Sequence, residues 1–176
     1  HRGGEDFPSS NEYTAYLLDS SGLQMTPVIS AVGMNYSGNN RFGYLRASHD
    51  GKKICSSLGG SSNTTVELLD FDNCTGIISN PISITDNFNY AYSCEFSPNN
   101  KVLYVGLVLG GAIYQYDLSS GIQSIIAATE TNIASGSDPK PCVQMGPDYK
   151  IYVARNGAGY LGVINNPNSV ANPDYV

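Results

Sequence analysis

Three short turns in this chain sit at a constant spacing. Ser48-His49-Asp50-Gly51-Lys52 follows YLRA, Ser97-Pro98-Asn99-Asn100-Lys101 follows SCEF, and Gly146-Pro147-Asp148-Tyr149-Lys150 follows CVQM. Their second residues fall at 49, 98 and 147, two equal intervals of 49 residues. An apolar segment follows each turn (KICSSL, VLYVGLV, IYVARNG), and another follows that (VELLDFDNCTG, IYQYDLSSG, YLGVINNPN). Such a chain folds as copies of one supersecondary unit, and each copy is too small to bury its own apolar faces.

Four short strands in ~40–50 residues are the signature of a β-propeller blade. The predicted fold is therefore all-β. Four-stranded antiparallel sheets stack face to face, as a partial propeller or a segment of a larger one. The clearest unit runs from Tyr90 to Gly121 as strand, turn, strand, loop, strand, turn. The copies predict a tail or linker over 1–12, a partial blade over 13–33, blades over 35–86 and 89–135, and a partial blade over 138–176. YTAYLLDSSG at 13–22 matches the third strand and turn of the central copy, so the chain enters halfway through a blade. The tail NSVANPDYV shows no obvious outer strand. No segment carries a sustained 3.6-residue apolar period with caps, so almost no helix is expected. Closed propellers have ~4–8 blades. An arc this short leaves an apolar face at each end, which neighbouring blades or other chains are expected to cover.

The turn residues fit this reading. Pro98 and Pro147 pre-set φ for the first central position of a tight turn, and Asn99, Asp50 and Asp148 suit the second. Gly51 and Asn100 fall where a left-handed residue returns the chain antiparallel. Tyr149 is a poor fit there, so the third copy is expected to turn differently.

Composition narrows the function classes. The net charge is −6 and the nine basic residues are scattered, so a phosphate-backbone partner is not expected. No apolar run approaches the ~20 residues of a membrane span. The chain begins at His1 without a signal peptide, and its natural start is expected to lie outside this sequence. Cys55, Cys74, Cys94 and Cys142 form no C-x-x-C pair, and no metal or other cofactor is expected. They read as mostly free, buried thiols, with room for one disulfide in a secreted protein.

The 49-residue period aligns Arg46, Glu95 and Gln144, each a polar residue between apolar neighbours. They are expected midway along the innermost strand of each blade, lining the central channel, with Arg46 facing Glu95 across adjacent blades. Such a column serves either as a stabilising ion pair or as a ligand contact. Lys52, Lys101 and Lys150 also repeat and read as solvated turn residues. DFDNCTG at 70–76 superficially resembles a calcium loop, but Cys74 and Thr75 stand where an oxygen ligand and a glycine are needed. Asp72 and Asn73 are expected to cap a strand-to-strand turn instead. His49 has no partner in triad geometry, because Ser48 and Asp50 share its tight turn. Asn35-Tyr36-Ser37, Asn63-Thr64-Thr65 and Asn73-Cys74-Thr75 match the N-glycosylation pattern. Gly59-Gly60, Gly110-Gly111 and Gly157-Ala158-Gly159 mark short loops and not phosphate cradles, because no helix follows them. No catalytic residue is assigned.

SPNNKVLYV at 97–105, with IYQYDLSSG after it, resembles WD-repeat-like and YVTN-type propellers. AYLLDSSG at 15–22, VELLDFDNCTGIISNP at 66–81, CEFSPNNKVLYV at 94–105 and QMGPDYKIYVARNGAGYLGVINNPN at 144–168 resemble more closely the propeller regions of large secreted Bacteroidetes proteins exported by type IX secretion. The resemblance covers the chain after residue 12. It implies a secreted or cell-surface location and a non-catalytic module that binds protein or glycan, with exposed tyrosines as contacts. Two alternatives remain: a lactonase-like propeller enzyme whose active site lies partly outside this chain, and a structural segment of a surface filament or secretion assembly.

Overall fold

Side chains alternate across a strand, so a sheet buried on both faces needs apolar residues at consecutive positions. VLYVGL at 102–107 is such a run, and all six residues are buried. A computed structural model of the chain describes residues 10–36, 43–58, 64–88 and 90–176. The elements in order are β1 (Ser10–Ala15), β2 (Leu18–Asp19), β3 (Gly22–Leu23), β4 (Val28–Tyr36), β5 (Gly43–Ala47), β6 (Lys53–Leu58), β7 (Thr64–Asp72), β8 (Ile77–Phe88), β9 (Ala91–Phe96), β10 (Val102–Leu107), β11 (Ile113–Asp117), α1 (Gln123–Ala128), β12 (Thr131–Ala134), β13 (Cys142–Met145), β14 (Ile151–Ala154) and β15 (Gly162–Ile164).

The strands form antiparallel blades. The second blade is β5-β6-β7-β8, the third β9-β10-β11-β12 and the fourth β13-β14-β15. The first blade contributes β1 paired with β4, with the β2–β3 hairpin at its tip. Each blade packs a face on the next. Ile54, Leu69 and Ile78 of the second blade pack against Tyr13 of the first. Cys55, Val66, Leu68 and Ile84 meet Leu103, Val105 and Tyr116 of the third. Val102, Tyr104 and Ile113 of the third meet Val143, Ile151, Val153 and Ile164 of the fourth. The first strands converge: the Tyr44 hydroxyl on β5 lies 3.4 Å from Cys142 Sγ on β13, two blades away. This places β5, β9 and β13 nearest the axis.

The first two turns have one design. Ser48 Oγ donates to Asp50 Oδ1 at 2.7 Å and accepts from Lys53 N–H at 2.9 Å. Ser97 Oγ donates to Asn99 Oδ1 at 2.8 Å and accepts from Val102 N–H at 2.9 Å. Gly51 and Asn100 sit at φ +67° and +59°. In the third copy Tyr149 takes the same left-handed conformation, at φ +61°, against the expectation from its side chain. The hairpin itself does differ. Ala47 pairs with Ile54 and Phe96 with Leu103, but Met145 pairs with Ile151, one residue earlier. Gly146 has no hydroxyl to hold the longer loop, and a Cβ there would meet the Tyr152 ring at 2.6 Å. The shorter loop turns Ile151 and Val153 toward the third blade.

Two further expectations hold, and one, on the thiols, is corrected. The C-terminal tail runs beside β15 without forming a strand, as expected: Ile164 and Tyr175 make an isolated bridge, Val163 and Val176 exchange two 2.9 Å backbone bonds, and Asn165 N–H donates to Asp174 O at 3.0 Å. From this tail Val170 and Tyr175 alone pack on the fourth blade's core, so no apolar alternation marks a strand. Helix is as scarce as expected: among the described residues one short helix, α1, precedes β12 in the third blade. It is six residues long, has no side-chain N-cap, and buries Ile126 alone, too little for a helical period to be visible. Two of the four thiols are not buried: Cys55 and Cys94 are, but Cys74 is exposed and Cys142 half-buried, all four free. Asn35-Tyr36-Ser37, Asn63-Thr64-Thr65 and Gly59-Gly60 fall partly or wholly outside the described residues.

Candidate functional site

The polar column lies on the innermost strands, and its residues contact the next blade. Arg46 Nε approaches Glu95 Oε2 at 3.5 Å, a charge contact without a hydrogen bond. Glu95 Oε2 also accepts Met145 N–H from β13 at 3.0 Å, and Oε1 accepts Phe96 N–H at 3.1 Å. Glu95 is 2 % exposed, so it is enclosed between blades and does not line a channel. Of the column, Glu95 alone is withdrawn from solvent, while Arg46 is half-buried. Gln144 occupies the same place on the fourth blade, exposed on the face that no further blade covers. Tyr44 packs edge-on against Tyr92 at 5.6 Å.

Other buried charges are also tied to a neighbouring blade's backbone. Glu67 on β7 accepts Met34 N–H from β4 with both carboxylate oxygens, at 3.1 and 3.2 Å. Lys140, in the connection to β13, donates from Nζ to Gly111 O at 2.7 Å and to Asp138 Oδ1 at 3.3 Å. Arg155 Nε donates to Asp138 Oδ2 at 2.7 Å, and its guanidinium lies 4.8 Å from the Tyr160 ring centre. The Arg155 contact holds the Asp138 carboxyl down to about 2. Near neutral pH this acid is ionised and paired, so it has no proton to exchange.

The remaining candidates are structural. Asp72 Oδ1 accepts Cys74 N–H at 2.9 Å and Thr75 N–H at 3.3 Å, the capped turn expected for DFDNCTG. No group of three metal-ligating side chains occurs among the described residues. His49 N–H donates to Asn100 Oδ1 at 2.8 Å, and its Nε2 lies 3.1 Å from Phe96 O, which links the first and second turns. Lys150 Nζ donates to Asn165 Oδ1 at 2.7 Å, while Lys52 and Lys101 are exposed.

A groove that the sequence reading missed opens on the turn side, between the third and fourth blades. It has a volume of about 520 Å³, within the ~300–1,000 Å³ of small-ligand clefts. Pro98, Asp148, Tyr149 and Lys150 form one wall, and Asn165, Asn166, Pro167, Asn168, Ser169 and Asn172, from the segment at 165–172, form the other. Asn168 Oδ1 crosses to accept Asn99 N–H at 3.0 Å. The available signals were the asparagine density of that segment and the misfit of Tyr149 in its turn.

No protein-family model matches the chain, and no curated protein matches its sequence. Solved structures do share the fold. The PQQ domain of a pyranose dehydrogenase from Coprinopsis cinerea is 13 % identical, with a TM-score of 0.58 over 81 % of this chain and 38 % of that one. A luciferin-regenerating enzyme is 18 % identical, with a TM-score of 0.51 over 87 % of this chain and 48 % of that one. The chain spans less than half the length of either. At these identities the likeness carries the fold alone.

Proposed function

We propose that this chain is part of a larger β-propeller acting as a non-catalytic recognition scaffold in a secreted or cell-surface protein. Its partner is a protein or a glycan, and neighbouring blades or chains cover its two open faces. The observation that carries the reading is the fate of the buried charges. Glu67, Glu95 and Lys140 each spend a charged group on the backbone of an adjacent blade. Acid–base or nucleophilic catalysis needs such a group free to reach a reacting atom. The reading calls for no cofactor.

The competing reading is a propeller enzyme whose reacting groups lie partly outside this chain. The fold is shared with two enzymes, and that observation favours it only at the level of architecture. A direct test uses the protein that contains this chain. It is assayed for lactone hydrolysis and for PQQ-dependent sugar oxidation, with Glu95→Gln and Asp138→Asn beside it. The scaffold reading expects no turnover in any of the three. Turnover that disappears in a variant of unchanged fold reinstates the enzyme.

A further inference from the structure

We infer that the groove between the third and fourth blades binds a neutral saccharide, with the Tyr149 ring as its stacking platform. The inference rests on the recognition reading and gives it a site and a ligand class.

Tyr149 is the starting point. The three equivalent turn positions hold Gly51, Asn100 and Tyr149, all left-handed. Glycine and asparagine adopt that backbone readily, and a bulky aromatic residue does not. Burial does not compensate, because Tyr149 is 66 % exposed. The turn has no use for this ring, and its outward position at the groove's edge suits a ligand contact.

The opposite wall supplies the polar groups. Asn166 and Asn172 are exposed, and their carboxamides engage no protein group among the described residues. Their backbone is held firmly: Asn166 N–H donates to Pro173 O at 2.9 Å, Ser169 N–H to Asn166 O at 3.0 Å, and Asn172 N–H to Ser169 Oγ at 3.1 Å. The amides are therefore presented on an ordered loop, which lowers the entropy lost on binding. A carboxamide offers a donor and an acceptor side by side, the pattern that adjacent sugar hydroxyls require. An aromatic ring supplies a rigid apolar surface for the C–H face of a pyranose.

Charge suits a neutral ligand. The groove is lined by one carboxylate, Asp148, and one ammonium, Lys150, whose charges balance. The Tyr152 hydroxyl donates to Asp148 Oδ2 at 2.9 Å and holds that carboxyl below the usual carboxylate range, and Lys150 Nζ donates to Asn165 Oδ1. A peptide is disfavoured, because the groove offers no free strand edge for pairing and no apolar pocket for side chains.

The test is an array of neutral oligosaccharides (malto-, cello-, xylo-, manno- and chito-series) beside heparin and a random peptide library. The protein is compared with Tyr149→Gly and Asn172→Ala. Tyr149→Gly removes the ring and keeps the left-handed turn, so thermal unfolding should occur at the same temperature or higher. The expected result is saturable binding of a neutral saccharide, weakened about ten-fold or more in each variant. Saccharide binding that survives both substitutions overturns the groove and leaves the recognition reading standing. Wild-type protein that takes only heparin or peptides, or no ligand on the array, also overturns it. Chemical conversion of the arrayed sugar would instead overturn the reading on which the site rests.

Discussion

Gly33 shows how closely one residue is specified. Its φ is +77°, and a Cβ there would lie 2.9 Å from Glu67 Oε2. Only without a side chain can β4 bring Met34 N–H onto the Glu67 carboxylate. Gly33→Ala should destabilise the fold by about 1–3 kcal/mol, read from urea unfolding. Glu95 is a second such point. Glu95→Ala leaves the Met145 N–H without its acceptor, a loss of about 1–3 kcal/mol, while the half-exposed Arg46 turns to water. Glu95→Gln keeps a carbonyl acceptor and should lose less in the same measurement. Tyr149 behaves oppositely. Replacing it with glycine relieves left-handed strain against a more flexible unfolded chain, for a net gain of about 0.5–1 kcal/mol. The pairing of Arg46 with Glu95 was legible from a shared register 49 residues apart. The second partner, Met145 N–H, was not, because a backbone group leaves no mark in a sequence.

At the scale of the element, the hairpin turns carry the repeat. A serine at the first turn position binds the N–H that closes the bulge in two copies, and the third copy discards it. Ser97→Ala should therefore cost about 1–3 kcal/mol by stranding the buried Val102 N–H. Gly146→Ser, which restores the repeat in letters, should destabilise too, because its Cβ would collide with Tyr152. Comparing the two variants by chemical denaturation separates turn chemistry from packing. Strands with apolar residues on both faces, such as β10, could be read directly. The bridge from Tyr175 to Ile164 could not. It forms on the free edge of β15, where only backbone groups are needed to pair. The helix α1 escaped for a related reason, since one buried isoleucine sets no period.

For the whole molecule, stability lies in the contacts between blades. At the interface between the second and third blades Cys94, Phe96, Leu103 and Tyr116 are wholly buried. Leu45 is equivalent to Cys94 yet is 53 % exposed, because the described part of the first blade contributes no inner strand to cover it. The same physics leaves Ile29 bare on the first blade's outer face. Asp138 adds an acid-sensitive tie at the other end of the arc. Its folded pKa of about 2 lies below the ~3.9 of an unfolded aspartate, so its stabilisation is complete above that unfolded value and is lost as pH falls through the folded one. Wild-type protein should lose urea resistance between pH 4 and pH 2. Asp138→Asn should start lower and show a flatter acid limb over the same range.

The amino-acid order alone determined the repeat, the strand-rich blades and the need for stacking. These depend on alternation and turn chemistry, which act over a few neighbouring residues. Tertiary structure alone decided which blade each polar side chain would serve, that Glu95 would be enclosed, and that a tyrosine in an unfavourable turn would face an asparagine-lined groove. Those outcomes join residues on different turns and blades, and the distance between them is set by how sheets pack, not by any local pattern.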